Sequence, residues 1–366
     1  MTHPPIPWFG PIVGDDEKAA LADVIDSGYI NDGNVTREFE RRVAAQVGVK
    51  HGVAVTSGTT AITLALMGMG IGPGDEVLVP DLTFIATANA ARLSGASVKL
   101  VDVEWDRFSI DPERVREAIG PNTRAIVPVD VNGRGADYQA LSNICRMHDL
   151  VMVCDAAEAF GSRHGGKALG TYGDAGCFSF SANKTVTCGQ GGMITTDNTV
   201  LYERLLELKD QGRRVQGSGG NDLHPVMGYN FKLTNLQAAV GLVQFDRLAL
   251  RLGQARERDA KFFQRLDGIG GIDVSRLGGN SESVLQWSDA LFDDSGAVEK
   301  ALSEANIGCR PFWYPLHRQA PYMASPELFP VATEISARGL WLPSHFDLTA
   351  QDIERVASVV SAAIGA

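Results

Sequence analysis

Residues 53–66 read VAVTSGTTAITLAL, and this stretch decides the fold. A run of β-branched and small apolar residues leads directly into Ser57-Gly58-Thr59-Thr60 and then into an Ala/Leu-rich segment of helical composition. A strand that turns straight into a helix is the repeating unit of α/β folds. The turn leaves hydroxyl groups and backbone amides at a helix N-terminus, so it is either a plain N-cap or a site for an anion such as phosphate.

Short β-rich runs alternate with amphipathic helical stretches between about residues 50 and 200, which predicts a mostly parallel sheet covered by helices. The seven predicted strands are residues 52–55, 76–80, 98–103, 124–131, 150–154, 176–180 and 193–196. Asp111-Pro112 supplies an N-cap and a proline at the first helical position, and Thr234 with Gln237 forms a capping box that opens a long helix. The glycines at 68, 70, 72 and 74 follow a helix rather than open one, which disfavours a dinucleotide-binding fold.

The predicted fold class is α/β, with a seven-stranded large domain and a smaller C-terminal α/β domain. The predicted boundaries are an N-terminal arm at residues 1–14, the large domain at 15–250 and the small domain at 251–366. In the small domain the sequence predicts a helix before Gly308, a strand at 309–312 and a last helix from Thr349.

Composition excludes several classes of partner. The 33 basic and 44 acidic residues give a net charge of −11, which disfavours binding to nucleic acid or to an anionic membrane surface. No apolar run approaches the ~18 residues that span a bilayer. The five cysteines show no paired spacing, and the N-terminus has no signal-peptide pattern, so a reduced, cytoplasmic setting is expected.

Two polar residues follow apolar strands of the predicted sheet, near the edge where α/β folds bind ligands. Asp155 closes the run 150–154, and a buried carboxylate without a cationic partner is costly. It either caps the next turn or pairs with a cationic ligand atom such as a protonated ring nitrogen. Lys184 follows a Ser/Asn-rich turn and precedes the glycines of 189–192, so it is either a solvated lysine or one that forms a Schiff base with a carbonyl compound.

Other kinds of catalytic site find no support in the sequence. The seven histidines are scattered without the spacing of metal ligands, so no metal is expected. No GxSxG motif is present, which disfavours a Ser-His-Asp hydrolase. The glycine-rich segment 211–227 has no helical or strand period, and a loop of this length is either functional or disordered.

Six motifs in order resemble those of the DegT/DnrJ/EryC1/StrS family of sugar aminotransferases. They are SGTTA (57–61), DLTFIATANA (81–90), DAAEAFG (155–161), FSFSANK (178–184), GQGGMITT (189–196) and GYNFKLTNLQAA (228–239), and the match covers nearly the whole chain. The resemblance implies fold type I of the pyridoxal 5'-phosphate (PLP) enzymes, with pyridoxamine 5'-phosphate as the amino-carrying form of the cofactor. It also implies a keto sugar substrate, glutamate as donor with 2-oxoglutarate as its product, and a homodimer with shared active sites.

The resemblance assigns roles to individual residues. Lys184 would bind PLP covalently and move the proton during transfer, and Asp155 would pair with the pyridinium nitrogen. The other implied cofactor-binding residues are Gly58, Thr59 and Ser179 at the phosphate, Asn230 at the phosphate from the other subunit, Phe84 against the ring and Glu158 near the ring hydroxyl. Substrate-binding predictions are His317, Arg213 and Arg214. Phe84 as a core residue, His317 as a structural histidine and the two arginines as solvated side chains stay open as alternatives.

The sequence indicates the substrate less precisely than the cofactor. The DAAEA run (155–159) is similar to that of the perosamine-forming branch of the family, which implies a nucleotide-linked 4-keto-6-deoxyhexose. Against this, residues 129–134 stand where the family often has a histidine and an aromatic residue, so a free keto sugar or keto sugar acid remains an alternative. Family members that act as dehydratases carry histidine at the lysine position, and Lys184 argues against that activity. A non-catalytic, PLP-binding regulatory relative is the remaining alternative.

Overall fold

The computed structural model describes residues 4–214, 222–275 and 282–365. Residues 215–221, in the predicted glycine-rich loop, lie outside the described residues. In chain order, the strands of the first 200 residues are β1 (His51–Val55), β2 (Glu76–Pro80), β3 (Ser97–Val101), β4 (Thr123–Ile126), β5 (Val151–Asp155), β6 (Arg163–His164), β7 (Lys167–Ala168), β8 (Ala175–Ser179) and β9 (Gly192–Thr196). Strands β6 and β7 form a separate two-stranded hairpin.

The other seven strands form one sheet, called the large sheet below, in the order β1-β9-β8-β5-β4-β2-β3. Strands β2, β3, β4, β5 and β8 pair in parallel, whereas β9 runs antiparallel to both of its neighbours. The predicted seven-stranded, mostly parallel sheet is therefore confirmed. Side chains alternate across it, so Leu78 packs into the core on one face and Val79 into the core on the other.

Strand β4 is shorter than its predicted range of 124–131. It ends at Ile126, two residues before Pro128, which has no N–H to donate to a ladder. The chain then makes a single bridge between Val129 and Asp155 and enters a short 3-10 turn in which Asn132 has a φ of 50°. This turn directs residues 130–134 away from the large sheet.

Helices cover both faces of the large sheet. They are α1 (Asp15–Asp26), α2 (Asn34–Val47), α3 (Gly58–Gly68), α4 (Ala86–Leu93), α5 (Pro112–Ala118), α6 (Tyr138–His148), α7 (Thr199–Lys209) and α8 (Asn235–Asp246). The predicted caps are confirmed: Asp111 accepts from the Glu113 amide, and Thr234 forms the capping box with Gln237. The long helix predicted from Thr234 is interrupted at Arg247. The first part, α8, packs on α1 and α2, and a separate helix begins at Leu248.

A second sheet, called the small sheet below, has four antiparallel strands in the order β10-β11-β13-β12. They are β10 (Ile272–Asp273), β11 (Asp289–Phe292), β12 (Arg310–Pro311) and β13 (Gly339–Trp341). The helices of this part are α9 (Leu248–Leu266), α10 (Ser295–Glu304), α11 (Pro330–Arg338) and α12 (Ala350–Ala363). Near the N-terminus, Ile6 bridges to Ile307 and Trp8 stacks on Trp341, so the segment before α1 packs against the small-sheet part. No helix within the described ranges combines the length and apolar character needed to cross a membrane.

Candidate active site

A cavity of about 370 Å³ lies between the two sheets. The residues that line it from the large-sheet part, called the large-sheet wall, include Gly58, Thr59, Phe84, Asp155, Glu158, Ser179 and Lys184. Those from the small-sheet part, called the small-sheet wall, are Trp287, Arg310, Trp313 and Trp341. The structure therefore brings the predicted phosphate turn, carboxylate and lysine into one cavity.

The turn before α3 has the geometry of an anion site. The Ser57 side chain caps the helix by accepting from the Thr60 amide at 3.1 Å, so Gly58 and Thr59 occupy the first helical positions, whose amides have no intrahelical acceptor. Ser179, at the end of β8, packs so closely that a Cβ on Gly58 would lie 3.0 Å from its Cβ. A phosphate group would meet free amides, a hydroxyl and the positive end of the helix dipole here.

Asp155 is buried beneath the cavity, with 5% of its surface exposed. Its Oδ2 accepts from the Thr87 hydroxyl at 2.7 Å, and its Oδ1 accepts from the Ala157 amide at 3.1 Å. Burial raises the pKa of Asp155, against the opposing effects of these hydrogen bonds and of the Lys184 charge. A protonated ring nitrogen in the cavity would supply the counter-charge that favours the ionised carboxylate, so the residues present fit the pyridine ring of PLP.

Lys184 is held between a carboxylate and an aromatic ring. Its Nζ lies 3.5 Å from Glu158 Oε1 and 5.1 Å from the centroid of the Trp287 ring, and 11% of its side chain is exposed. Glu158 Oε2 accepts from the Asn132 amide at 3.1 Å. Burial raises the pKa of Glu158, and the nearby Lys184 charge is the main opposing effect. The amine is thus positioned at the cavity surface rather than free in solvent.

Phe84 lies at the cavity and is 54% exposed, which is unusual for a large apolar side chain. The alternative of a core phenylalanine does not describe it, because its ring is accessible to a molecule in the cavity. A flat aromatic ligand would cover that ring and remove apolar surface from water.

The predicted substrate-binding residues do not line this cavity within the chain. His317 is fully buried, with its Nδ1 2.6 Å from Asp81 Oδ2 and its ring stacked on Phe329 at 5.0 Å, which is the arrangement of a structural histidine. Arg213 and Asn230 line a second cavity of about 490 Å³. Arg214 forms an ion pair with Glu207 at 3.2 Å.

The unusual segment 129–134 contacts the small-sheet part. The Arg134 guanidinium makes two hydrogen bonds to Asp289, at 2.7 Å and 2.6 Å. The Asn132 side chain donates to the Trp287 carbonyl and to Asp289, both at 2.7 Å, and accepts from the Trp287 amide at 2.9 Å. These contacts hold the segment before β11, which carries Trp287, against the turn of Asn132, whose backbone amide donates to Glu158. In this chain, Asn132 and Arg134 thus have a structural role.

Sequence reasoning missed the small-sheet wall. Trp287, Trp313 and Trp341 are isolated in the sequence and form no motif, and Arg310 stands in a short predicted strand without any charge pattern. No sequence pattern links these residues. Four of the five tryptophans, at positions 8, 287, 313 and 341, come together only in the folded chain. Within the described ranges no cluster of three or more potential metal ligands is present.

The chain is similar in sequence to one protein family and in structure to several solved proteins. Residues 11–361 match the model of the DegT/DnrJ/EryC1/StrS aminotransferase family. The chain is 37% identical over 363 residues to a GDP-perosamine synthase of Caulobacter vibrioides, with 96% of each chain covered, and 32% identical over 355 residues to one of Escherichia coli O157:H7, with 95% of each covered. Among solved structures, DesV of S. venezuelae superposes with a TM-score of 0.90 at 31% identity and full coverage of both chains. A putative sugar aminotransferase of Streptococcus pneumoniae in its PMP form superposes with a TM-score of 0.91 at 25% identity and 98% coverage of each chain.

Proposed function

The chain belongs to the DegT/DnrJ/EryC1/StrS aminotransferase family and is a PLP-dependent aminotransferase, and from this premise we propose that it aminates a nucleotide-linked 4-keto-6-deoxyhexose with glutamate as the donor. The observation that carries the proposal is the meeting of the α3 N-terminus, Asp155 and Lys184 on one cavity. The sugar class is supported by the relatives named GDP-perosamine synthase, which cover almost the whole chain. When bound, PLP supplies an electron-accepting ring that stabilises negative charge on the reacting carbon.

The large-sheet wall offers a group for each part of the cofactor. Gly58, Thr59 and Ser179 would hold the phosphate, and Asp155 would hold the ring nitrogen in its protonated form. Phe84 would pack on a face of the ring, and Glu158 would lie near the ring hydroxyl.

Lys184 is the proposed catalytic base and the residue of covalent attachment. Its Nζ would take a proton from the α-carbon of the donor and later give one to the sugar carbon that receives nitrogen. Glu158 at 3.5 Å and the Trp287 ring at 5.1 Å hold that amine in one place, which is what proton transfer between fixed atoms requires.

The structure removes one argument for a free keto sugar. That alternative rested on residues 129–134, whose Asn132 and Arg134 side chains instead pair with Trp287 and Asp289. A nucleotide-linked sugar is therefore preferred. We further propose a cytoplasmic homodimer in which Asn230 and Arg213, on the second cavity of one subunit, complete the active site of the other.

The proposal is tested by separating the two half-reactions. Protein loaded with PLP should lose its visible absorption band when glutamate is added, with release of 2-oxoglutarate. A nucleotide-linked 4-keto-6-deoxyhexose should then restore the band, and a free keto sugar should not. A band that glutamate leaves unchanged would refute the donor, and restoration by the free sugar alone would refute the substrate class.

Covalent attachment is tested independently of turnover. Borohydride reduction of the loaded protein, followed by peptide mapping, should place a pyridoxyl group on Lys184. A label on another lysine would refute the assignment, whichever sugar is used.

A further inference from the structure

Arg310 is an exposed cation on the small-sheet wall of the active cavity. It lies in β12, and its guanidinium carbon is 5.4 Å from the centroid of the Trp8 ring and 5.7 Å from that of Trp341. Among the described residues, no carboxylate forms an ion pair with it, in contrast to Arg338 and Arg134 on neighbouring elements. Its charge is therefore available to a ligand in the cavity.

The indole rings of Trp341 and Trp287 connect Arg310 to Lys184. The Trp341 and Trp287 rings lie 4.9 Å apart, and Lys184 Nζ is placed over the Trp287 ring. Contact with an indole face orients a guanidinium while leaving its N–H edges free to bind an oxyanion. The indole N–H groups of Trp287 and Trp341 are buried, so Arg310 is the charged hydrogen-bond donor that this wall presents to the cavity.

The remaining charges on the lining define what Arg310 would bind. Asp155 and Glu158 are the acidic residues of the lining, and both repel an anionic substrate. Lys184 and Arg310 are its only cations among the described residues, and the amine of Lys184 is used for proton transfer in the proposed function. An anionic donor therefore has one guanidinium available for its carboxylate, and a planar fork matches a carboxylate through two parallel hydrogen bonds.

We propose that Arg310 binds a carboxylate of the amino donor and so orients the donor's α-carbon toward Lys184. The inference rests on the proposed function for the identity of the donor. The same fork would also fit the diphosphate of a nucleotide sugar, because both are oxyanions. The two sources are separated by measuring each substrate alone.

The first test measures binding without chemistry. Calorimetry with the PLP-loaded enzyme and glutarate, a dicarboxylate that has neither amine nor keto group, reports only the anion site. Arg310→Gln should weaken glutarate binding by about tenfold to a hundredfold, as expected for loss of hydrogen bonds to a charged group. Arg310→Lys, which keeps the charge without the fork, should lie between the two. Unchanged glutarate affinity in Arg310→Gln would overturn the proposal.

A matched control is available in the same part of the chain. The Arg338 guanidinium carbon lies 5.8 Å from the Trp105 ring, and Arg338 does not line the cavity. Arg338→Gln therefore removes a guanidinium with a similar ring contact away from the cavity, together with its ion pairs to Asp293 and Glu334. This variant should bind glutarate as the unmodified enzyme does. An equal loss of affinity in both variants would show a general charge effect and overturn the assignment to Arg310.

The second test assigns the anion to one substrate. In Arg310→Gln, the glutamate concentration that half-saturates loss of the visible band should rise by about tenfold to a hundredfold, while half-saturation by the nucleotide-linked amino sugar should change little. The reverse pattern would assign Arg310 to the diphosphate and overturn the carboxylate proposal. Arg310-dependent glutarate binding in an enzyme that does not react with glutamate would support the anion site and refute the donor in the proposed function.

Discussion

The large-sheet wall carries charged and hydrogen-bonding groups on short segments at the ends of neighbouring strands, whereas the small-sheet wall is made of three tryptophan rings and one arginine from distant parts of the chain. Asp155 and Lys184 each lie within a short distance of a parallel strand end, and their geometry follows from the order of the sheet. Trp287 lies two residues before β11, and it meets Trp341 of β13 where these two strands pair. The catalytic groups of the cavity are therefore positioned by short segments at strand ends, whereas its aromatic wall is positioned by contacts between residues far apart in the sequence.

The two walls are also stabilised differently. The large-sheet wall is part of a parallel sheet with a core on both faces. The small-sheet wall is held to it by the buried pair Arg134–Asp289 and by Asn132, which contacts Trp287. We call these contacts the join between the walls. Substitutions in the large-sheet wall should therefore mainly lower activity, and substitutions at the join should mainly lower stability.

The largest effect is expected at Lys184. Lys184→Ala should reduce turnover by about 10⁴-fold or more, because it removes both the covalent attachment and the proton-transferring amine. Steady-state release of 2-oxoglutarate measures this. Lys167→Ala is the control. Lys167 lies on the β6–β7 hairpin and contacts the Tyr172 ring, and its removal should leave near-normal rates. Multiple turnovers in Lys184→Ala would contradict the catalytic assignment.

The second-largest effect is expected at the join between the walls. Asp289→Ala should destabilise the protein by about 3–5 kcal/mol, because it leaves Arg134, with 9% of its side chain exposed, as an unpaired buried charge. Urea denaturation measures the free energy of unfolding. Asp293→Ala breaks an ion pair with Arg338 in which 74% of the Asp293 side chain is exposed, and it should cost at most about 1 kcal/mol. Equal costs for the two variants would show that the join is not a distinct stabilising element.

Asp155→Asn should impair catalysis but leave PLP binding intact. An amide cannot keep the ring nitrogen protonated, so turnover should fall by about 10²- to 10³-fold while the phosphate site still binds PLP. Absorption spectra report binding, and single-turnover mixing with glutamate reports rate. A near-normal rate would show that another group controls the ring nitrogen.

The smallest effect is expected in the pH dependence of stability, and it arises from Asp130 in the turn before Asn132. Burial raises the pKa of Asp130 to about 7, against the hydrogen bond donated by Tyr138 at 2.5 Å. The unfolded carboxyl has a pKa of about 3.9, so the protonated form stabilises the folded protein at acid pH, and this contribution is lost as pH rises from about 4 to 7. Asp130→Asn does not titrate, so the advantage of the unmodified protein over this variant should shrink across that window.

Urea denaturation at several pH values measures the Asp130 effect. Asp149→Asn serves as a control, because Asp149 is exposed and its φ of 52° is a conformation that asparagine also tolerates. Because the substitution is on the surface, it should change the free energy of unfolding by at most about 0.5 kcal/mol. A constant stability difference between Asp130→Asn and the unmodified protein would show that Asp130 does not titrate in this range.

Much of the large-sheet wall was predictable because its signals are local. A strand followed by Ser-Gly-Thr, a buried strand closed by Asp155 and a lysine after a Ser/Asn turn each occupy fewer than about ten consecutive residues, and a parallel sheet brings such strand ends to one edge. The motifs also supported the family resemblance, which the comparisons confirm. Strand β4 was predicted too long because residues 127–131 are apolar enough for a strand, although Pro128 cannot donate to the ladder.

By itself, the sequence determined the class of fold, the family and the residues at the carboxyl edge of the large sheet. Tertiary structure alone decided that Arg134 pairs with Asp289, that His317 is buried against Asp81 and that Arg310 lies on the active cavity. The physical reason is that backbone periodicity and capping act over a few residues, whereas ion pairs and aromatic packing join side chains that chain folding brings together from more than a hundred positions apart.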